Sequence, residues 1–298
     1  MKYTILSLFP EIIDAYFSSS IMAKAVNRGI VEYRSVNIRD YALDKHKTCD
    51  DAPYGGGPGM LMLPEPLGRA LEAVLGGSEG LKGRSEGVLS RDAGQLRSFV
   101  PQHKDTELCE VQGGTKLQGG NTPPHIIFLS ASGKPFNQAM ARELTAKKEL
   151  ILVCGRYEGI DQRIIDLYAD EEISVGDYVL SSGEAAALVI IDATYRLVEQ
   201  VITPASLEEE SFNAGLLEYP QYTRPEIYGT LKVPEVLLSG HHENIRRWRL
   251  EKQVEKTLAL RPDMILRGEK EGLFSAETRK IIEAKRNTEE LSQRGEEG

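Results

Sequence analysis

Leu152-Val153-Cys154-Gly155-Arg156-Tyr157-Glu158-Gly159-Ile160-Asp161 is the stretch that decides the fold of this chain. The apolar run from Leu150 stops at Gly155, a second glycine follows at Gly159, and a helix-like segment starts at Asp161. A strand that ends in a glycine turn and leads into a helix leaves backbone N–H groups free at the carboxyl end of a sheet. A second stretch of the same kind follows, Ile173 to Glu184, with glycines at Gly176 and Gly183. Two glycine-bearing loops this close imply one small-molecule pocket built mostly from main chain.

Around these loops, apolar runs alternate with helical patterns. Strands are expected at Tyr3–Leu8, Val31–Asn37, Ile126–Ser130, Leu150–Cys154 and Tyr178–Leu180, and helices at Glu11–Arg28, Glu65–Leu75, Asn137–Ala146, Asp161–Tyr168 and Glu184–Asp192. This order predicts an α/β domain with a largely parallel sheet, spanning residues 1–203. A flexible acidic linker is expected over 204–213, and a smaller, mainly helical domain over 214–298 whose last residues, from Thr288, are polar and frayed. One segment interrupts the first domain. Residues 76–124 hold ten glycines and a single aromatic, Phe99. So little apolar side chain cannot offset the entropy of ordering, and the segment reads as a mobile insertion.

Composition narrows the function classes. The 298 residues suffice for two domains with full cores. The longest apolar run, Ala185 to Ile191, is far too short to span a bilayer. Cys49, Cys109 and Cys154 form no CxxC pair, so neither a zinc site nor a disulfide framework is suggested, and a cytoplasmic setting fits. The net charge of −9 counts mildly against a nucleic-acid partner. Charge is unevenly spread, however. At about 100° per residue, Leu250, Val254 and Leu258 share one helix face, while Arg249, Lys252 and Lys256 lie opposite. That basic stripe is either a solvated flank or a phosphate-contacting surface. Tyr54-Gly55-Gly56-Gly57-Pro58-Gly59-Met60 is glycine-rich but lacks the ending of a P-loop. It is either an irregular turn or a place where a backbone or flat base approaches closely.

Taken together, the motifs resemble one family. Ser7–Glu11, Asp50-Asp51 with Tyr54–Met62, Leu150–Asp161, Ser174–Leu180, Ser211-Phe212 with Tyr222–Glu226, and Val236–Gly240 with Ile245–Leu250 run in the order found in bacterial tRNA (guanine-N1)-methyltransferases of the SPOUT class. The resemblance implies a deep trefoil knot in the parallel sheet, a homodimer with composite active sites, and methyl transfer from S-adenosylmethionine to N1 of the guanine just 3′ of the anticodon, tRNA position 37. A magnesium ion is a further candidate, and Glu158 can sit near it or near the positively charged methionyl group.

By the same resemblance, S-adenosylmethionine is held by Leu129, Ser130 and Gly133, by Gly155, Tyr157 and Glu158, and by Val175, Gly176, Asp177, Tyr178, Val179, Leu180 and Gly183. Substrate contacts fall on His46, Lys47, Asp50 and Gly59, and on Arg246, Arg249 and Lys252, the carboxyl-terminal domain being the tRNA-binding one. Guanine N1 carries a proton, so the reaction needs a base and a cation that stabilises charge on O6. These roles map to Glu210 and Arg196. The chain departs from the family pattern at Glu210, where the family has aspartate, at Ser182, where it has glycine, and at Ala186, where it has proline. A protein that binds RNA or nucleotide without catalysis is the competing reading.

Overall fold

A computed structural model of the chain describes residues 1–76, 123–203, 210–212 and 214–296, with side chains up to residue 288. Most of the insertion read over 76–124, and linker residues 204–209 and 213, lie outside the described residues. The chain divides into two compact units, Met1–Val201 and Ile202–Gly298.

The first unit is built on a five-stranded sheet. Strands β1 (Lys2–Ser7), β2 (Glu32–Asn37), β5 (His125–Pro135), β6 (Glu149–Val153) and β7 (Glu171–Ser174) lie in the order β2-β1-β6-β5-β7, and every pairing is parallel. Two-residue strands β3 (Asp50–Asp51) and β4 (Leu61–Met62) form a separate antiparallel pair. Successive side chains of a strand point to opposite faces, and both faces are apolar here. Tyr3, Ile5, Ile127, Leu129, Leu150 and Leu152 join one core with Ile13, Phe17, Leu144 and Ile190. Those partners come from α1 (Pro10–Phe17), α4 (Gln138–Ala146) and α6 (Gly183–Tyr195), and α2 (Ser20–Asn27) adds Met22. Leu6, Ile126, Phe128, Ile151 and Val153 join a second core with Leu67 and Leu71 of α3 (Pro64–Leu75) and Ile164 of α5 (Gln162–Tyr168). Helices on both faces leave the sheet no wet side, which is why its strands read as continuous apolar runs.

Three expectations are corrected. The single helix Glu11–Arg28 is two helices, broken where Ser18 and Ser19 donate their hydroxyls back to the Ala15 carbonyl at 2.9 and 2.7 Å. Tyr178–Leu180 is not a strand; the fifth strand is Glu171–Ser174, just before it. At the carboxyl terminus, α10 (Ala276–Glu296) remains helical beyond Thr288.

The second unit holds the short hairpin β8 (Ile227–Tyr228) and β9 (Leu231–Lys232), the one-turn helix α7 (Glu235–Leu238), and α8 (His242–Leu260), α9 (Pro262–Glu271) and α10. Its core joins Val254, Ile265, Phe274 and Ile282, flanked by Leu250 and Leu258. The apolar face read for α8 is therefore its packed face.

Candidate functional site

The sheet order places the chain reversal at β6, which lies between β1 and β5 while β7 lies beyond β5. Open parallel sheets bind ligands outside the carboxyl ends of their strands at such a point. Three loops meet there. The first leaves β6 at Cys154 and carries Gly155, Arg156, Tyr157, Glu158 and Gly159. The second is an excursion within β5, since Leu129 and Lys134 both pair with Ile173 and the residues between them, Ser130 to Gly133, bulge out. The third runs from Ser174 at the end of β7 back to Gly183, whose N–H donates to the Gly155 carbonyl at 2.8 Å.

Main-chain approach sets this geometry. A Cβ added at Gly183 would stand 2.6 Å from the Gly155 nitrogen and 2.8 Å from Cys154 Cα. One added at Gly133 would stand 2.5 Å from the Ile173 nitrogen. Gly155, given most weight in the sequence, has more room: its Cβ would meet the Leu129 carbonyl at 3.5 Å and the Ile160 side chain at 3.6 Å. The third loop is internally braced. Gly176 has a φ of +151°, the Tyr178 N–H donates to the Gly176 carbonyl at 2.9 Å, and the Tyr178 hydroxyl donates to the Val175 carbonyl at 3.0 Å. Asp177 is exposed beside them. Tyr178, Val179 and Leu180 are 56 %, 91 % and 41 % exposed, an apolar rim over the loops.

The glycine-rich segment belongs to the same site. Its hairpin is laced to the first loop: the Glu158 N–H donates to the Met60 carbonyl at 3.0 Å and the Met62 N–H to the Gly159 carbonyl at 2.9 Å. Gly59, at φ +88°, lies under Glu158, where a Cβ would meet Glu158 Cγ at 2.3 Å. Asp50 pairs with Met62 across the hairpin. Gly59 is thus brought against Glu158, and Asp50 reaches the loop only through Met62. Tyr157 holds a φ of +59°, which costs a non-glycine residue about 1–3 kcal/mol. His46 and Lys47 are exposed on the preceding loop, Lys47 paired with Asp40 at 2.6 Å.

Beneath the loops lies a polar cluster that the sequence did not single out. Glu184, in the first turn of α6, is 1 % exposed and accepts from the Ser7 hydroxyl at 2.6 Å. Its Oε2 is 4.0 Å from Arg156 Nη1, and the Arg156 guanidinium lies 4.3 Å over the Phe9 ring. Burial, reinforced by the Glu184 charge, pushes the Cys154 thiol well up. The available signal was an acidic residue in the first turn of an otherwise apolar helix.

The two residues read as catalytic are not part of the three loops. Arg196 caps the carboxyl end of α6, near the start of β1, where the Tyr3 hydroxyl and Thr194 Oγ1 are 2.8 Å apart. At 1.5 Å per residue, α6 puts Arg196 about 20 Å from Gly183, so the helix carries Arg196 away from the Gly183 end of the site. Glu210 belongs to the second unit, half-buried, at the start of a turn in which the Glu218 N–H donates to Ser211 Oγ at 2.9 Å. In the same unit the basic residues of α8 already hold partners. Arg246 binds Glu243 at 2.7 Å and Glu277 at 3.0 Å, Lys252 binds Glu255 at 2.8 Å, and Arg249 lies 4.7 Å over the Tyr219 ring.

Over residues 1–97 and 115–267 the chain matches the family model described as tRNA (Guanine-1)-methyltransferase TrmD. Curated relatives carry the same activity in their names. The tRNA (guanine-N(1)-)-methyltransferase of Treponema denticola is 51 % identical over 282 residues, covering 95 % of this chain and 98 % of the relative. Its counterpart in Borreliella burgdorferi is 51 % identical over 269 residues, covering 90 % and 94 %. That of Treponema pallidum is 47 % identical over 282 residues, covering 95 % of both.

Proposed function

Since the chain belongs to the tRNA (guanine-1)-methyltransferase family, we propose that it transfers a methyl group from S-adenosylmethionine to N1 of the guanine just 3′ of the anticodon, position 37 of tRNA. The mild case that net charge made against a nucleic-acid partner is overturned by this membership. The observation that carries the reading is the main-chain cradle at Gly133, Gly155 and Gly183, where bare backbone closes on bare backbone. Such a cradle suits a ligand whose adenine and ribose edges are read by peptide groups. Leu129 and Ser130 line one side, Tyr157 and Glu158 the second, and the Val175–Leu180 loop the third. When bound, S-adenosylmethionine supplies an electrophilic methyl on a sulfonium. The return of the chain from β7 past β5 to Gly155 supports the trefoil-knotted, SPOUT-like arrangement.

The remaining chemistry falls to side chains. Glu210 takes the proton from guanine N1, and Arg196 faces the charge that gathers on O6. Because Arg196 ends a helix that begins at the cradle, Arg196 of one protomer serves the cradle of its partner, which calls for a homodimer with composite sites. No cluster of three or more His, Cys, Asp or Glu side chains suited to a metal occurs among the described residues, so a magnesium ion would be held by one or two carboxylates, Glu158 first among them, with water and substrate. Nor, among them, is any helix long and apolar enough to cross a membrane. The cytoplasm, where tRNA is made and used, is the setting this reading implies.

The test is incubation with labelled S-adenosylmethionine and unmodified tRNA. One methyl per tRNA is expected, and none when the guanine at position 37 is replaced. Binding of both ligands without methyl transfer would favour the non-catalytic alternative. A second expectation concerns α8. Phosphate contacts release counterions, so tRNA affinity should fall steeply with salt. Replacing Arg249 and Lys252 together with alanine should flatten the log–log slope by roughly one to two charges. An unchanged slope would return this helix to a solvated flank.

A further inference from the structure

Glu184 is a buried carboxylate that the reaction as described does not use. One oxygen accepts from Ser7, whose Oγ in turn accepts from the Phe9 N–H at 2.8 Å. Among the described residues, no hydrogen-bond donor reaches the other oxygen, Oε2. A buried polar atom left so is costly, and for packing alone an apolar side chain would be the cheaper occupant. The nearest cation is Arg156, 4.0 Å away, too far for a hydrogen bond yet within an ångström or so of making one. Arg156 is the second residue of the Gly155–Gly159 loop, and its guanidinium is already steered by the Phe9 ring below it. Glu184 stands in the first turn of α6, next to Gly183, which holds the Gly155 carbonyl. Three segments that bound the cradle therefore converge on one carboxylate: the end of β1, the loop after β6 and the start of α6.

We propose that Glu184 is a positioning residue for the cofactor cradle, drawing Arg156 inward so that the Gly155–Gly159 loop closes on the cofactor. The proposal rests on the cradle being the S-adenosylmethionine site. The carboxylate touches neither cofactor nor substrate; it acts through Arg156. Closure, sampled by the free loop and held by the cofactor, shortens the Arg156–Glu184 gap to hydrogen-bond distance and gives Oε2 the donor it lacks.

The test is a cycle of Glu184→Gln, Arg156→Met and both together in the full-length protein. Glutamine keeps an acceptor for Ser7 but turns an N–H₂ donor toward the guanidinium. Calorimetry with S-adenosylmethionine should show affinity about tenfold weaker for Glu184→Gln, with little further loss in the Arg156→Met background. In methyl transfer, KM for S-adenosylmethionine should rise while kcat and KM for tRNA stay near wild type. Hydrogen exchange of the Arg156–Gly159 amides in the free protein should quicken to the same extent in all three variants. Unchanged affinity, or losses that simply add, would overturn the proposal, and a general loss of structure would show as a large drop in melting temperature. If the wild type binds no S-adenosylmethionine yet the exchange rates remain coupled, the cofactor reading falls and the tether between Glu184 and Arg156 stands.

Discussion

Replacing Gly183 with alanine is expected to abolish measurable S-adenosylmethionine binding and to lower the melting temperature by on the order of 5–10 °C. The new methyl carbon would lie 2.6 Å from the Gly155 nitrogen and 2.8 Å from Cys154 Cα, where carbon contacts normally settle at about 3.5–4.0 Å. Both obstacles are backbone, so no side-chain rotation relieves the clash. The amino end of α6 must instead back away from the end of β6. That movement breaks the 2.8 Å bond from the Gly183 N–H to the Gly155 carbonyl and pulls Glu184 from Ser7. Overpacking with loss of buried hydrogen bonds costs about 2–4 kcal/mol, and for a unit of this size each kcal/mol is worth roughly 2–4 °C. Gly155→Ala is the internal control. Its Cβ meets the Leu129 carbonyl at 3.5 Å, an ordinary contact, so its melting temperature should stay within about 3 °C of wild type. Thermal unfolding and calorimetry on the two variants decide the matter: if Gly183→Ala binds cofactor as well as Gly155→Ala does, the loops are not closed by this contact.

That contrast shows what was legible in the sequence. Local patterns carried the central strands, because Leu150–Cys154 and Ile126–Leu129 are buried on both faces and read as unbroken apolar runs. They failed where an apolar run does something else. Tyr178-Val179-Leu180 has strand-forming side chains, yet all three are exposed at the rim of the site. The true edge strand opens with Glu171-Glu172, and only Ile173 and Ser174 of its four residues are buried. The serine break after Phe17 was hidden because the buried residues on either side of it, Ile13 and Phe17 before and Met22 and Ala25 after, join the same core. Which glycine is indispensable could not be read at all: Gly155 and Gly183 differ only in what the folded chain places against them, and that neighbour comes from another part of the sequence. The Ser7–Glu184 bond spans 177 positions and is invisible to any local pattern. The motifs listed the residues of the cradle; topology decided how they meet.

Glu210→Gln is expected to slow single-turnover methyl transfer by roughly 10²-fold or more while leaving S-adenosylmethionine affinity unchanged. Glutamine keeps the size of the side chain and removes its basicity, so guanine N1 keeps its proton and stays a poor nucleophile. Glu210→Asp shortens the side chain by one methylene to the residue usual in the family, and should retain or raise the rate. The placement of Arg196 turns this pair of variants into a test of the composite site. Under the proposed dimer, Arg196, which α6 carries about 20 Å from Gly183, and Glu210 act on the cradle of the partner. Glu158→Ala, on the exposed rim of the cradle, weakens the cofactor side alone; Glu210→Gln weakens the base alone. Each variant should be nearly inactive as a homodimer. Co-expressed, half of the dimers formed at random are mixed, and one of the two sites in each mixed dimer joins an intact cradle to an intact base. Activity should therefore recover to about a quarter of wild type, as an isologous pair with two equivalent sites requires. If base and cradle came from the same protomer, every site in the mixture would carry one defect and no activity would return. The level of recovery thus reports, in a single measurement, whether the chain works as a dimer and whether Glu210 reaches across it.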